Sequence, residues 1–356
     1  MSEARELAEL LRERGVSRRA FLAYASWMTS LLALPPAMAP AMAQGLAKAR
    51  RQAVIWLSFQ ECTGCTESLT RSFSPTLEEL IFDFISLDYH HTLQAASGEA
   101  AEQARRQSMK DNAGKYVVIV DGSVPVGDGG VYSVIAGQSN VDMLAETVAQ
   151  AAAVIAVGTC AAFGGLPEAR PNPTGAVPVS QLVKDKPVVN IPGCPPMPQA
   201  MAGTLVHLLS FGTLPELDAL GRPRAFFGES IHDRCYRRPF YEKGLFAHSF
   251  DDEGARQGWC LYELGCKGPV TYNACASLKW NGGVSFPIQS GHGCIGCSEP
   301  QFWDRGGLYQ PLSTGSADVR KVIGIAAAGG VALGAASALL ARKRQAEHAA
   351  ADKKET

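Results

Sequence analysis

The chain has almost no imbalance of charge, 33 Lys and Arg against 34 Asp and Glu, for a net charge of −1. A nucleic-acid binder asks for a basic face, and this composition offers none. The parts of several hydrolytic machines are missing as well. There is no phosphate-cradling P-loop, no Gly-x-Ser-x-Gly nucleophile elbow and no His-Glu-x-x-His metalloprotease helix. No internal repeat and no long low-complexity run is found, and the Ala-rich patches are confined to the two ends. Apolar residues are plentiful, at 46% of 356, enough for two domains with proper cores.

What the chain does hold is sulfur in metal-ligand spacing. Its ten cysteines, with one histidine, divide into three sets. Cys62-x-x-Cys65, Cys160 and Cys194 form the first, and His232-x-x-Cys235, Cys260 and Cys266 the second. Cys275, Cys294 and Cys297 form the third, with Pro287 where a fourth ligand belongs. Iron–sulfur clusters are held by thiolates, and imidazole replaces thiolate at some irons. Three such groups imply a chain that moves electrons. Disulfides are the competing reading for an exported chain, and zinc also suits four thiolates.

Four β-branched apolar runs, at 54–59, 116–120, 154–157 and 188–191, each closed by Gly, Pro or Asp, read as buried strands. Helical segments at 76–84, 141–152 and 198–211 alternate with them. That alternation predicts a parallel, doubly wound α/β sheet. Cys62 and Cys65 then follow the first strand, Cys160 the third and Cys194 the fourth. The carboxyl ends of parallel strands face one crevice, so four distant thiolates are delivered to one place. Beyond about residue 222 Gly, Pro and aromatics break every run, which predicts a second domain whose folding leans on metal. His292 is read as a loop residue bonding locally, and Glu61 and Glu67 as supporting or solvated carboxylates.

The ends carry addresses. Ser17-Arg18-Arg19-Ala20-Phe21-Leu22, an apolar stretch at 22–34 and the small-residue Ala41-Met42-Ala43 read as a twin-arginine leader with its cleavage site, which sets residues 1–45 outside the fold reasoning. That route exports folded protein, so metal groups can be inserted beforehand in a reducing compartment. The uncharged stretch 322–341, bounded by Arg320-Lys321 and Arg342-Lys343-Arg344, is long enough for one membrane helix, and Gly330-x-x-x-Gly334 lets a partner helix approach.

Taken together, Glu61-Cys62-Thr63-Gly64-Cys65-Thr66-Glu67-Ser68, Gly158-Thr159-Cys160, Pro192-Gly193-Cys194-Pro195-Pro196, Ile231-His232-Asp233-Arg234-Cys235 and Phe286-Pro287-Ile288-Gln289-Ser290-Gly291-His292-Gly293-Cys294-Ile295-Gly296-Cys297 resemble the small subunit of membrane-bound uptake [NiFe] hydrogenases. The resemblance implies a flavodoxin-like domain with an irregular Fe–S cluster domain and a C-terminal transmembrane helix. The regions would be a signal peptide at 1–45, the flavodoxin-like domain at 46–225, the cluster domain at 226–315, the anchor at 316–341 and a cytoplasmic tail at 342–356. It implies a proximal [4Fe–4S] cluster on Cys62, Cys65, Cys160 and Cys194. A medial [3Fe–4S] cluster would sit on Cys275, Cys294 and Cys297, and a distal [4Fe–4S] cluster on His232, Cys235, Cys260 and Cys266. An oxygen-tolerant subgroup has two further cysteines near the proximal cluster; Gly64 and Gly165 stand at those positions here, so an ordinary proximal cluster is expected. The nickel–iron site would belong to a separate large subunit, because no thiol is left to bind nickel. Electrons would pass to a membrane cytochrome b-type or similar acceptor at the periplasmic face of the bacterial inner membrane. A stand-alone anchored Fe–S carrier is the alternative from another class, and a disulfide- or zinc-stabilised binding protein a further one.

Overall fold

The computed structural model describes residues 18–48, 51–305 and 308–312. The predicted anchor at 316–341 and tail at 342–356 lie outside the described residues, as does the start of the leader. Among the described residues no helix is long and apolar enough to cross a membrane.

Five parallel strands make the central sheet. They are β1 (Gln52–Ser58), β2 (Ile85–Tyr89), β3 (Val117–Asp121), β4 (Ala153–Val157) and β5 (Val188–Ile191), in the order β2-β1-β3-β4-β5. This is the flavodoxin-like strand order, with its switch point between β1 and β3. The register sets Ile55 beside Val118, Ile119 beside Ile155 and Ala156 beside Asn190. Side chains alternate across a strand, and the apolar runs therefore feed two cores. Val54, Trp56, Val117, Ile119, Ile155 and Val157 face one layer, while Ile55, Leu57, Val118, Val120, Val154 and Ala156 face the other. Both faces being covered explains why these strands read as continuous hydrophobic runs.

Helices α1 (Arg18–Leu31) and α2 (Ala39–Lys48) precede the sheet. Within and after it come α3 (Gly64–Thr70), α4 (Gly98–Asp111), α5 (Asn140–Val148), α6 (Gly158–Phe163) and α7 (Pro198–Phe211). The four expected strands and the helix at 198–211 are found. Three expectations need correction. The segment 76–84 is one short helical turn, Leu77–Glu79, closed by a Thr76–Glu79 capping box and continued as the π-turn Leu80–Phe84. The helix expected over 141–152 spans Asn140–Val148. Residues 18–48, set aside from the fold reasoning as part of an expected export leader, have α1 and α2 packed into the first core layer, with Phe21, Ala25, Met28 and Leu32 buried at helical spacing.

After α7 the chain turns to short helices such as Arg224–Phe227, Arg238–Glu242 and Cys275–Leu278, joined by turns. The described residues up to Gln310 pack as one compact unit.

Candidate metal centres

The first set gathers at the carboxyl edge of the sheet. Thr63, in the left-handed region at φ 66°, turns the chain from β1 into α3, leaving Cys62 exposed and Cys65 buried in the first helical turn. Cys160 lies in α6 directly after β4, and Cys194 in the turn after β5. Cys65 is electrostatically coupled to Cys160 and Cys194, and both of these to Cys62, so the four thiols share one neighbourhood. Burial, with Asp121 and then Cys62 adding to it, pushes the Cys160 thiol up to about 11, and burial with Cys160, Cys297 and Cys62 pushes Cys194 to about 12. Burial, then Asp121, drives Cys65 well above the ordinary thiol range.

Asp121 went unnoticed in the sequence. It ends β3, buried, with the Cys65 thiol and the Gly122 N–H as the polar groups nearest its carboxylate. Burial lifts its carboxyl to about 7. The available signal was an acidic residue terminating a fully apolar strand. Of the two carboxylates flanking Cys62 and Cys65, Glu67 pairs with Arg71 at 2.6 Å on the surface of α3. Glu61 is partly buried, with Oε2 unpartnered and its carboxyl raised by burial.

His232, Cys235, Cys260 and Cys266 line one cavity with Arg237, Leu261, Tyr262 and Ile288. The His232 ring meets Tyr241 edge-on at 4.6 Å. Burial, then the charge of Arg238, lowers its pKa, so the neutral form needed for ligation is favoured. Cys266 Sγ accepts backbone N–H groups from Gly268 at 3.4 Å and Cys294 at 3.3 Å. Burial raises the Cys260 thiol to about 11.

Cys275, Cys294, Cys297 and Pro287 line a cavity of about 140 Å³, walled by Trp280, Phe286 and Ile288. Burial, then Cys297, pushes Cys275 to about 12, and the same two causes carry Cys294 well above its ordinary value. His292 bonds Gly293 O at 2.8 Å and stacks on Phe250, a local role as expected.

The cavity of the third set adjoins both other sets. Cys194 of the first set borders it, and Ile288 lines it and the second cavity alike. Thr159 Oγ1 accepts Gly193 N–H at 2.8 Å and donates to Cys297 O, joining the first and third sets. The Cys294 N–H to Cys266 sulfur bond joins the third and second. Arg222, also unremarked in the sequence, is buried between the Phe227 and Tyr272 rings and pairs with Asp218 at 2.7 Å and Glu299 at 2.9 Å. It thereby fixes the segment just after Cys297. Among the described residues, no three His, Cys, Asp or Glu converge tightly enough to hold a single metal ion.

A flavodoxin-like sheet that crowds buried thiols at its carboxyl edge, joined to a cysteine-lined irregular region, defines a redox protein rather than a hydrolase or a carrier of nucleic acid. Known proteins agree. Residues 227–310 match the family model for the C-terminal region of the NiFe/NiFeSe hydrogenase small subunit, and 62–208 that for the NADH ubiquinone oxidoreductase 20 kDa subunit. The uptake hydrogenase small subunit of Azotobacter vinelandii is 46% identical over 97% of this chain and 98% of its own. The hydrogenase-1 small chain of Escherichia coli K12 is 44% identical over 93% and 90%. Among solved structures, the reduced, active Ni-Fe-Se hydrogenase of Desulfomicrobium baculatum is similar with a TM-score of 0.70 at 35% identity, covering 74% of this chain and 100% of that one. The oxidised [NiFeSe] hydrogenase of Desulfovibrio vulgaris Hildenborough gives a TM-score of 0.68 at 39% identity, over 74% and 99%. The chain belongs to the uptake hydrogenase small-subunit family. It is the electron-transfer subunit of a [NiFe] hydrogenase, pairs with a large subunit and belongs to an iron–sulfur family.

Proposed function

We propose that this subunit draws electrons from a nickel–iron site on the large subunit, where H2 is split, and relays them through three clusters to a membrane acceptor. Cys62, Cys65, Cys160 and Cys194 would hold a proximal [4Fe–4S] cluster. Cys275, Cys294 and Cys297 would hold a medial [3Fe–4S] cluster, and His232, Cys235, Cys260 and Cys266 a distal [4Fe–4S] cluster. When bound, each cluster supplies a one-electron couple.

The observation that carries this reading is the place of the third cavity, bordered by Cys194 on one side and bonded to the Cys266 sulfur on the other. The donor sets fit such groups. Nine of the ten thiols are raised by burial and would hold their protons in an iron-free chain, and iron would replace those protons with a stronger partner. Pro287 leaves the third set one thiolate short, as a three-iron cluster requires. Neutral His232 removes one negative charge from the second set and raises its potential, which favours the second set as the exit.

An ordinary proximal cluster is supported by Gly64 and Gly165. A side-chain carbon added there would stand 3.1 Å from Cys62 Sγ and 2.7 Å from Cys160 Sγ respectively. The twin-arginine leader, the uncharged stretch at 322–341 and its basic flanks support export and anchoring at the periplasmic face, with a cytochrome b-type or similar protein as acceptor. Electron paramagnetic resonance of the purified heterodimer tests the assignment. An oxidised sample should give a [3Fe–4S] signal, and a heterodimer containing iron and sulfide but no such signal would remove the medial cluster from the scheme.

A further inference from the structure

The leader is not a loose extension of this chain. Helix α1 buries Phe21, Ala25 and Met28, Leu32 just after it is buried too, and α2 buries Met42, Ala43, Leu46 and Ala47, all in one core layer with α7 and Phe226. Tyr24 stacks on Phe84 at 5.8 Å, and Trp27 meets Phe73 at 6.1 Å. The fit is close at the backbone too. A side-chain carbon at Gly45 would stand 2.0 Å from the Ser210 carbonyl oxygen, so α2 lies against α7 at a distance that glycine alone permits. Gly203 on α7 likewise leaves room for the Phe226 ring and for Leu31 of the leader.

This packing bears on processing. Ala41-Met42-Ala43 and every neighbouring small-residue bond at 39–47 lie inside the helix Ala39–Lys48. Met42 is 0% exposed and Ala43 1%. A peptidase reads its substrate as an extended strand with the residues before the scissile bond in its pockets. A docked, helical α2 denies it both the extended backbone and the Ala43 side chain.

We propose that α7, Phe226 and the Phe73–Phe84 contacts form a docking surface whose occupant is the chain's own leader, and that docking shields the bond after Ala43. Hydrolysis of that bond, with water added across it by the peptidase, therefore follows release of α1 and α2. The surface is built for release. The Tyr24 hydroxyl is buried with no hydrogen-bond partner, a cost that undocking removes. The inference rests on the export-leader reading of the N-terminus.

The test uses the full chain in its complex. Met28→Asp places a charge in the docked face of α1 without touching residues 39–47, and Ala23→Asp places the same charge on its exposed face. Two quantities are read, amide hydrogen exchange at 39–48 and the rate of cleavage by purified signal peptidase and by a broad-specificity protease. Met28→Asp should raise both by roughly tenfold or more, while Ala23→Asp matches the wild type and exchange in β1, β3 and β4 stays unchanged in both. Wild-type amides at 39–48 exchanging like an unstructured peptide, or wild type cut as fast as Met28→Asp, overturns the proposal. The leader reading fails separately, if the N-terminus of the chain recovered from cells is never cut; the exchange result would stand apart from that outcome.

Discussion

Replacing Thr159 by Val keeps the side chain's shape and removes one oxygen at the junction of the first and third cysteine sets. Thr159 is 1% exposed. Its N–H donates to Gly193 O at 2.9 Å, its hydroxyl accepts Gly193 N–H at 2.8 Å, and the same hydroxyl donates to Cys297 O. Valine leaves the first bond and orphans one buried N–H and one carbonyl. At about 1–3 kcal/mol for each of the two buried unsatisfied groups, the loss is roughly 2–6 kcal/mol. At about 2–4 °C per kcal/mol for a large domain, the thermal midpoint should fall by about 4–24 °C. The assay is loss of visible absorbance from the purified complex on heating, at one fixed scan rate because unfolding with metal loss is irreversible. Thr159→Ser retains the hydroxyl and should recover most of the loss. A Val variant melting within about 2 °C of the wild type would refute the bridging role, since the predicted minimum is larger.

Substituting Pro287 by Cys supplies a fourth thiolate to the third cavity, and the [3Fe–4S] signal should give way to a four-iron species in the reduced spectrum; an unchanged oxidised signal counts against the place assigned to Pro287. His232→Cys replaces a neutral ligand by an anionic one. A unit charge at about 4 Å and an effective dielectric constant near 20 is worth about 4 kcal/mol, which sets a fall of up to about 170 mV in the distal potential. Redox-poised spectra read this directly, and a distal potential that stays put or rises contradicts it. Arg222→Met strands Asp218 and Glu299 in a mostly buried site, at a cost of about 3–5 kcal/mol. The medial spin count should drop before the proximal one, Arg222→Lys should restore part of it, and an intact medial signal in the Met variant rejects the clamp.

The strands were readable because β1, β3, β4 and β5 are covered on both faces, so their apolar runs are uninterrupted. Strand β2 was not, because the polar Ser86 and Asp88, only partly buried, break its apolar run. The apolar run before it, Leu80–Phe84, suggested a longer helix than the one capped turn and π-turn that form. Helix α4 escaped for a different reason. Its buried face is polar, with Arg105 at 0% exposure held by Glu102 at 3.0 Å and Glu146 at 2.9 Å, so no apolar period marks it. The cysteine sets were readable because a thiol cluster's chemistry is local to Cys and His, whereas Asp121, Thr159 and Arg222 matter through neighbours that only the folded chain supplies. The composition of residues 18–48 suggests an export address but not how they pack, since Gly45 acquires meaning only beside Ser210.

The two halves of the molecule are held together by different means. The sheet region has two extensive apolar layers, one on each face. The region after α7 gathers, among the described residues, a buried cluster of Ile231, Ala247, Leu261, Cys266, Phe286 and Ile288, one of which is itself a thiol of the second set. Beside it lie the cavities of the second and third sets, with Ile288 lining both. So small an apolar cluster offsets little of the conformational entropy of a segment this long and irregular. On the proposed assignment, iron bound to the histidine and six cysteines of that segment's two sets would add the missing free energy and replace the protons that burial holds on its thiols. Electron transfer and folding would then make the same demand on this region. The cavities that would give a hopping electron short steps would also be the places where the chain leans on metal to close.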